Sequence, residues 1–257
     1  MLQKSYKRKN KFLFDKFGAR CHVEMMDQNR YAIYYLPDPT SNLWEKGSRW
    51  LGRDPCLDAD IPSDLNLPHG LINHELLVKT PALYGFHATL KPPMYLGSKK
   101  RKDQLYTEVG TFADQSKPIP IPALKVKKLG NFLALVPGQQ SLEITDFARS
   151  CVISFDKYRA EPSDLELERR RASGLSTRQN ELLTQWGYPY VMEEFRFHLS
   201  LTGKIDSKCA SVLQPFLSEY FKETEIANLQ LDRIAILSQS DSKSPFILEE
   251  FFSLRGS

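Results

Sequence analysis

Two short stretches of the chain alternate between apolar and polar residues, which is the pattern of a β-strand that buries one face. The apolar positions are Phe86, Ala88 and Leu90 in the first stretch and Phe197, Leu199 and Leu201 in the second. The polar positions are His87, Thr89 and Lys91 in the first and Arg196, His198 and Ser200 in the second. Both stretches read Phe-His-x-(Thr/Ser)-Leu. The pattern predicts two motif strands, over about 84–91 and 195–203, each with one buried and one polar face.

The same succession of elements follows each motif strand. Apolar periodicity and turn signals predict a helix and then two strands in both halves of the chain. The predicted ranges are 84–91, 102–115, 123–128 and 132–137 in the first half, and 195–203, 207–223, 230–238 and 246–253 in the second. A hairpin turn is indicated at Gly130-Asn131. The repeat predicts two similar lobes, each of which contributes one histidine.

Other elements are predicted from caps and turn-forming residues. They are a strand over 31–36, a helix over 43–51 capped at Ser41-Asn42, a loop over 52–68, a short helix over 70–79, and helices over 141–157, 161–171 and 176–186. Ser176 and Gln179 have the spacing of a capping box for the last of these. Pro92-Pro93 is predicted to end the first motif strand, because proline has no backbone N–H to donate.

Composition indicates an ordinary folded protein in a reducing compartment. A hydrophobic content of 41% over 257 residues suffices for a substantial core. The four cysteines are widely spaced, which favours neither a zinc cage nor a disulfide framework, and a cytoplasmic location is expected. No apolar run is long enough for a transmembrane helix, and the N-terminus lacks the apolar core of a secretory signal.

The positive charge of the chain is concentrated at its N-terminus. Residues 1–20 have a net charge of +6, whereas the whole chain has +4, so the remainder is slightly acidic. We expect residues 1–30 to form a basic, flexible extension and residues 31–257 to form a single domain. A polyanion-binding arm, or a start at Met25 or Met26, are the alternatives for this segment. The near-neutral body weakens any inference of general nucleic-acid binding.

The two histidines suggest acid–base chemistry on a phosphate. An imidazole titrates near neutrality, and a neighbouring hydroxyl can donate to a phosphate oxygen. Two motif strands side by side would place His87 and His198 on opposite sides of one small ligand, with Thr89 and Ser200 beside them. A single histidine is more often a structural residue, but a matched pair favours catalysis.

Other polar and aromatic residues are open to two interpretations. Lys91 and Arg196 share the polar faces and could assist a phosphate, or they could be solvated edge residues. Tyr84 and Tyr188 could stack on a base or sugar, or belong to the core. Arginines 169–171 could form a solvated helix face or bind phosphate, and Arg53 is a weaker candidate of the same kind. His69 and His74 are five residues apart, which does not match the spacing of metal ligands on one helix face.

Taken together, these motifs resemble the 2H phosphoesterase superfamily. The resemblance rests on the two tetrapeptides His87–Leu90 and His198–Leu201. It also rests on four longer sequence segments, Trp50–Asp54, Tyr84–Lys91, Phe132–Pro137 and Trp186–Tyr190. These segments are similar to those of one branch of the superfamily, whose members are labelled phosphonate-metabolism, or phosphonate-operon, proteins of unknown function. The resemblance extends over about residues 31–255.

The resemblance implies an α+β, bilobal fold in which two antiparallel sheets and their flanking helices surround a central cleft. It implies a metal-independent phosphodiesterase without cofactors, which hydrolyses a cyclic or 2′-linked phosphodiester of a small sugar or nucleotide. His87 and His198 would be the acid–base pair, and Thr89 and Ser200 would hold the phosphate. The expected partners are a small phosphorylated substrate or an RNA 2′,3′-cyclic end, with no membrane and a monomeric state. The alternative is a non-catalytic module that binds phosphate, nucleotide or RNA.

Overall fold

A computed structural model of the protein describes residues 29–62, 65–68, 73–224 and 228–256. Its strands are β1 (Arg30–Tyr35), β2 (Arg53–Asp54), β3 (Ala59–Asp60), β4 (Ala88–Tyr95), β5 (Ile119–Ile121), β6 (Leu124–Leu129), β7 (Phe132–Pro137), β8 (Leu199–Ser200), β9 (Leu229–Leu231), β10 (Arg233–Gln239) and β11 (Ile247–Ser253). Its helices are α1 (Asn42–Leu51), α2 (His74–Ala82), α3 (Lys102–Gln115), α4 (Leu142–Asp156), α5 (Asp164–Arg171), α6 (Thr177–Trp186) and α7 (Ser207–Tyr220). The predicted basic extension lies almost entirely outside the described residues.

Two antiparallel sheets form the body of the protein. One has four strands in the order β11-β10-β1-β4, and the other has three in the order β6-β7-β8. The predicted α+β class with two antiparallel sheets is therefore confirmed. None of the helices in the described ranges is long and apolar enough to cross a membrane.

The two sheets do not correspond to the two halves of the sequence repeat. β4, the first motif strand, lies in the sheet that contains the second hairpin, β10 and β11. β8, the second motif strand, pairs with β7 of the first hairpin. The two connections that cross between the sheets pair with each other as β5 and β9. Each sheet still contributes one motif strand, as predicted, but each hairpin belongs to the sheet of the other half.

One hydrophobic core joins the two sheets. Leu133 and Leu135 of β7 and Ile234 and Ile236 of β10 are fully buried and belong to the same contiguous cluster. α3 packs against the four-stranded sheet and α7 against the three-stranded sheet. Burial of these side chains is the main stabilising contribution to the arrangement of the two lobes.

The first motif strand is shifted relative to its prediction. β4 begins at Ala88, after His87, and continues through Pro92 and Pro93 to Tyr95. The prediction that the two prolines end the strand is wrong. Within the described ranges, β4 is an edge strand that pairs only with β1, so a missing N–H on its outer side leaves no partner unsatisfied.

The second motif strand is much shorter than predicted, since only Leu199–Ser200 is extended and paired. A short 3₁₀-helix, Met192–Glu194, precedes it. The Arg196 guanidinium donates to the carbonyls of Glu193 and Phe195, and the His198 ring is hydrogen-bonded to the Arg196 carbonyl. These backbone carbonyl groups therefore accept hydrogen bonds from side chains and not from a neighbouring strand, which keeps β8 short.

Several local predictions are confirmed by cap and turn geometry. Ser41 caps α1 through the backbone N–H of Trp44, and Ser176 with Gln179 forms the predicted capping box of α6. Gly130 adopts the left-handed conformation, with φ of 58°, at the predicted hairpin turn. The short helix predicted over 70–79 is present as α2, which the structure places at His74–Ala82. The predicted loop over 52–68 contains the short strands β2 and β3.

Close packing of α1 on Phe86 fixes the approach to the first motif. A Cβ atom at Gly47 would lie 2.3 Å from a ring carbon of the fully buried Phe86. We expect Gly47→Ala to lower the free energy of unfolding by about 1–3 kcal/mol, because the ring has no free space to enter. Urea unfolding measures this change.

Gly110→Ala in α3 is the matched control. The added Cβ would meet Phe252 at 3.6 Å, an ordinary contact, so the higher helix propensity of alanine should leave stability equal or raise it. Equal effects of the two substitutions would contradict the packing explanation.

Candidate active site

His87 is held at the end of a tight turn before β4. Gly85 has φ of 73°, and a Cβ atom there would lie 2.6 Å from Pro55, so this position requires glycine. The Nδ1 atom of His87 lies 2.9 Å from the Gly85 carbonyl oxygen. Its Nε2 atom lies 3.2 Å from Oγ1 of Thr89. The ring stacks on Tyr34 of β1 with a centroid distance of 3.9 Å.

His198 is held in the same way at the start of β8. Its Nδ1 atom lies 2.6 Å from the carbonyl oxygen of Arg196, again two residues earlier in the chain. The Phe132 ring packs against it with a centroid distance of 5.5 Å. A carbonyl oxygen only accepts hydrogen bonds, so both rings carry their proton on Nδ1 when neutral. In both histidines, Nε2 is then the atom that can accept a proton.

The two histidines line one cleft of about 720 Å³ between the sheets. The cleft brings together six of the residues predicted for the site, namely His87, Thr89, His198, Ser200, Tyr84 and Tyr188. Tyr84 lies close to both His87 and Phe246, with ring centroids 6.1 and 5.3 Å away. The space suffices for a small phosphorylated ligand.

Burial keeps both histidines neutral near pH 7. Burial lowers the pKa of His87 from 6.5 to about 4, against the opposing effect of its hydrogen bond to Gly85, and the nearby charge of His198 lowers it further. Burial also lowers the pKa of His198, with the Arg196 carbonyl acting in the opposite direction. In the free protein, both Nε2 atoms are therefore proton acceptors.

The lowered pKa of His87 predicts a component of stability that disappears in acid. An unfolded chain takes up a proton at this residue between pH 6.5 and about 4, while the folded chain does not. The free energy of unfolding should therefore fall as the pH is lowered through this range. Urea unfolding of the wild type and of His87→Gln, at about pH 7, 5.5 and 4.5, isolates the effect. The stability advantage of the wild type should shrink with falling pH, and a constant difference would contradict the assignment.

Lys91 does not lie in the cleft, so the prediction that it shares a face with Thr89 is wrong. Thr89 pairs with Tyr34 of β1, but Lys91 pairs with Ile33, which places a β-bulge at Leu90. Tyr34 and Ile33 point to opposite faces of β1, and the bulge therefore turns Lys91 away from the cleft. The Lys91 side chain is 1% exposed.

Lys91 instead forms a buried ion pair beneath the site. Its Nζ atom lies 2.7 Å from Oδ1 of Asp156 in α4. Arg159 binds both oxygens of the same carboxylate at 2.8 and 3.1 Å, and also donates to the Gln185 carbonyl of α6. This network joins the first motif strand to the segment that leads to Tyr188.

Arg196 lines an adjoining cavity and not the histidine cleft. That cavity has a volume of about 420 Å³, and Tyr188, Tyr190 and Phe132 also line it. The guanidinium of Arg196 donates to backbone carbonyls of its own segment. The contribution of Arg196 to the cleft is therefore its carbonyl group, which orients His198.

The lysine and arginine side chains that line the cleft give its wall a positive charge. Five of its lining residues are basic, and none of its described lining residues is acidic. The basic residues are Arg30, Lys79, Arg169, Arg170 and Lys204. Of the three consecutive arginines considered from the sequence, two reach the cleft, whereas Arg171 hydrogen-bonds to Asn180. Such a surface attracts anions.

Sequence reasoning missed Arg30, Tyr34 and the two lysines. Arg30 and Tyr34 share one face of β1, but the predicted first strand began at Tyr31, so alternation could have indicated Tyr34 and, with the strand extended by one residue, Arg30. Among the described residues, no group of three or more histidine, cysteine or acidic side chains lies close enough together to hold a metal ion. His74 packs edge-on against Trp50 with ring centroids 4.7 Å apart, and His69 lies outside the described residues.

Fold and site together define a two-lobed α+β protein with a pair of histidines in a cationic cleft. Residues 89–247 match the family described as a protein of unknown function, DUF1045, and the chain belongs to this family. His198 lies within the matched range and His87 lies two residues before it.

Two curated relatives carry the name ribose 1,5-bisphosphate phosphokinase PhnN. One, from Janthinobacterium sp. (strain Marseille), is 33% identical over 88% of this chain and 51% of its own length. The other, from Laribacter hongkongensis (strain HLHK9), is 34% identical over 69% of this chain and 40% of its own length. The chain thus spans about half the length of the curated relatives that it matches, or less.

Solved structures show a weaker likeness. E. coli LigT complexed with NADP+ matches with a TM-score of 0.40 and 10% identity, over 88% of this chain and 98% of LigT. A structure described as a phosphoesterase matches with the same TM-score and coverage at 12% identity. At this level of similarity, the likeness establishes neither a shared fold nor a shared function.

Proposed function

We propose that the protein hydrolyses a cyclic phosphodiester of a small sugar, with His87 and His198 as its general acid and base. The observation that carries this proposal is the matched geometry of the two rings. Each histidine has Nδ1 fixed on a backbone carbonyl two residues earlier, and each lines the same cationic cleft. Two proton carriers around one anion site suit acid–base catalysis at phosphorus.

The proposed reaction adds one water molecule to the cyclic ester. One neutral histidine accepts a proton on Nε2 from the water as its oxygen forms a bond to phosphorus. The bond from phosphorus to one ring oxygen breaks, and that oxygen takes a proton from Nε2 of the other histidine. The product is a phosphate monoester with one free hydroxyl. A net proton is transferred from one histidine to the other, and solvent exchange restores the starting state.

The hydroxyl groups of Thr89 and Ser200 would bind the non-bridging oxygens of the phosphate. Thr89 lies next to Nε2 of His87, and Ser200 follows His198 by the same spacing and lines the same cleft. Hydrogen bonds aimed at the equatorial oxygens stabilise the charge that develops in the transition state. Tyr84 and Tyr188 would enclose the sugar.

Anion binding would supply the protonated histidine that the reaction requires. Both pKa values are lowered in the free protein by burial. A phosphate between the rings favours the charged form of imidazole and would raise the pKa of the ring nearest to the leaving oxygen. The substrate would thereby prepare its own general acid.

Two further observations favour a small sugar substrate. The motifs resemble those of the 2H phosphoesterases, a superfamily whose reactions include the opening of cyclic phosphates. The longer curated relatives are named for a ribose 1,5-bisphosphate kinase, and that sugar phosphate is the kind of monoester that opening a cyclic phosphate of ribose yields. These relatives also extend well beyond this chain, so their activity is no more than a guide to substrate class.

RNA with a 2′,3′-cyclic end is the competing substrate. The adjoining cavity is lined by the aromatic side chains of Phe132, Tyr188 and Tyr190, on which a base could stack. It shares His198 with the histidine cleft. The positive charge concentrated in the cleft nevertheless favours a small sugar phosphate over an extended RNA strand.

A panel of cyclic phosphates tests the proposal. Ribose cyclic phosphates, nucleoside 2′,3′-cyclic phosphates and a short RNA with a cyclic end would be incubated with the protein and followed by ³¹P NMR. We expect conversion of the sugar cyclic phosphates to monoesters. Preferred turnover of the RNA would move the assignment to the competing substrate. Binding of these ligands in calorimetry with no turnover would show a binding module instead.

A further inference from the structure

The wall of the cleft that carries Tyr188 packs apart from the main hydrophobic core. Among the described residues, the Tyr188 ring packs against a small separate cluster of four buried side chains, Val152, Leu182, Val191 and Met192. The strand that follows His87 contributes Ala88 and Leu90 to the main core instead. Because hydrophobic burial is non-directional, packing within two clusters does not by itself fix the position of Tyr188 relative to His87.

Arg159 connects these two parts of the protein directly. Its guanidinium binds both carboxylate oxygens of Asp156 in α4, and its Nη2 atom also donates to the Gln185 carbonyl of α6 at 3.1 Å. Its side chain lies against Gly187, where a Cβ atom would come within 3.1 Å of the arginine Cδ atom. Gly187 ends α6 in the left-handed conformation, with φ of 72°. Arg159 therefore contacts the chain at two points just before Tyr188.

The other end of this network reaches the first motif strand. The Nζ atom of Lys91 lies 2.7 Å from Oδ1 of Asp156. Lys91 follows Thr89 by two residues in β4, and the β-bulge between them turns the two side chains to opposite faces. A short series of hydrogen bonds thus joins the strand that presents Thr89 to the cleft with the segment that presents Tyr188.

We propose that Arg159 is a positioning residue, which holds Tyr188 at a fixed distance from His87 and thereby sets how closely the cleft encloses its ligand. The inference rests on the proposed function, in which Tyr188 encloses the sugar. A guanidinium presents five donors in one plane and can hold a carboxylate and a carbonyl at once, whereas an ammonium group is a point charge on a flexible stem. A hydrogen-bonded polar network in the protein interior rigidifies the elements that it joins.

Arg159→Lys tests this role with a conservative change. Lysine keeps a positive charge beside Asp156 but loses the donor to the Gln185 carbonyl. We expect KM for ribose cyclic phosphate to rise about 5- to 10-fold, as for one lost hydrogen bond. The value of kcat should stay unchanged, because Tyr188 would contact the sugar in the ground state and the transition state alike. An unchanged KM, or a fall in kcat without a rise in KM, would overturn the inference.

A Tyr188→Ala background separates positioning from a general loss of structure. In this background Arg159→Lys should no longer raise KM, because the residue through which it acts is absent. Arg149→Lys is the matched control, since Arg149 pairs with Asp146 on an exposed face of α4 and should affect neither kcat nor KM in either background. The same rise in KM with and without the Tyr188 ring would overturn the inference.

Hydrogen exchange followed by mass spectrometry tests the inference without turnover. In Arg159→Lys, the amides of residues 185–190 should exchange about 5- to 10-fold faster than in the wild type, and those of β10 in the main core should exchange at the wild-type rate. This result would support the positioning role even if no cyclic phosphate were hydrolysed, so the proposed function can fail separately. Unchanged exchange over 185–190, or an equal acceleration in β10, would overturn the inference.

Discussion

Replacement of either His87 or His198 by alanine is expected to lower kcat for cyclic phosphate hydrolysis by about 10²- to 10⁴-fold. Each ring carries one of the two proton transfers, and each is fixed by a hydrogen bond from Nδ1 to a backbone carbonyl. The two losses should not add, because a reaction that has lost its base gains little from its acid. Steady-state rates of the two single variants and the double variant would measure this directly.

His74→Ala is the control for these substitutions. His74 is a third histidine of the described chain, lies outside the cleft and contacts Trp50. It should retain the wild-type kcat. Circular dichroism and unfolding curves of all variants would separate lost chemistry from lost structure. Wild-type kcat in a correctly folded His87→Ala or His198→Ala protein would rule out the acid–base assignment.

Asp156→Ala should lower the free energy of unfolding by about 3–5 kcal/mol, because it leaves the buried Lys91 ammonium without its partner. Lys91 is 1% exposed and Asp156 is 22% exposed. Burial opposes ionisation of Asp156, but hydrogen bonds from Arg159 and Lys91 prevail and lower its pKa. The substitution therefore removes a charge that is ionised near pH 7 and on which two cations depend.

Asp146→Ala on the same helix is the matched control. Asp146 pairs with Arg149 at 3.0 Å on an exposed surface, where such a pair contributes about 1 kcal/mol or less. Urea unfolding at about pH 7 would compare the two variants with the wild type. Similar, small losses for both would show that the pair of Lys91 and Asp156 contributes no more than a surface ion pair.

The residues of the histidine pair could be predicted because strand alternation is a local property. The period of two placed His87 beside Thr89 and His198 beside Ser200, and the structure brings all four to one cleft. Ser176 and Gln179 are also a local signal, since a capping box depends only on four consecutive residues. Such features follow from the chain on either side of them.

Lys91 could not be placed in the same way, because its position depends on a neighbouring strand. The bulge at Leu90 arises from the register between β4 and β1, and it reverses the face of Lys91. The period of two applies only while the ladder is regular. From sequence alone, nothing distinguished the buried partner of Asp156 from a phosphate-binding lysine.

The sequence also could not predict that each hairpin joins the sheet that holds the motif strand of the other half. The repeat specified the succession of elements in each half but not which strands pair. The cationic wall has a similar origin, because Arg30 and Arg170 come from elements far apart in the sequence. Residues that meet only through tertiary packing leave no common local pattern.

We propose that His87 and His198 together catalyse hydrolysis of a cyclic phosphate without a metal ion. The measurement that tests it most directly is the rate of ribose cyclic phosphate hydrolysis by the wild type, followed by ³¹P NMR with and without an excess of EDTA. We expect conversion to a monoester at the same rate in both samples. Loss of turnover in EDTA and its recovery with a divalent cation, or the absence of turnover in either sample, would contradict it.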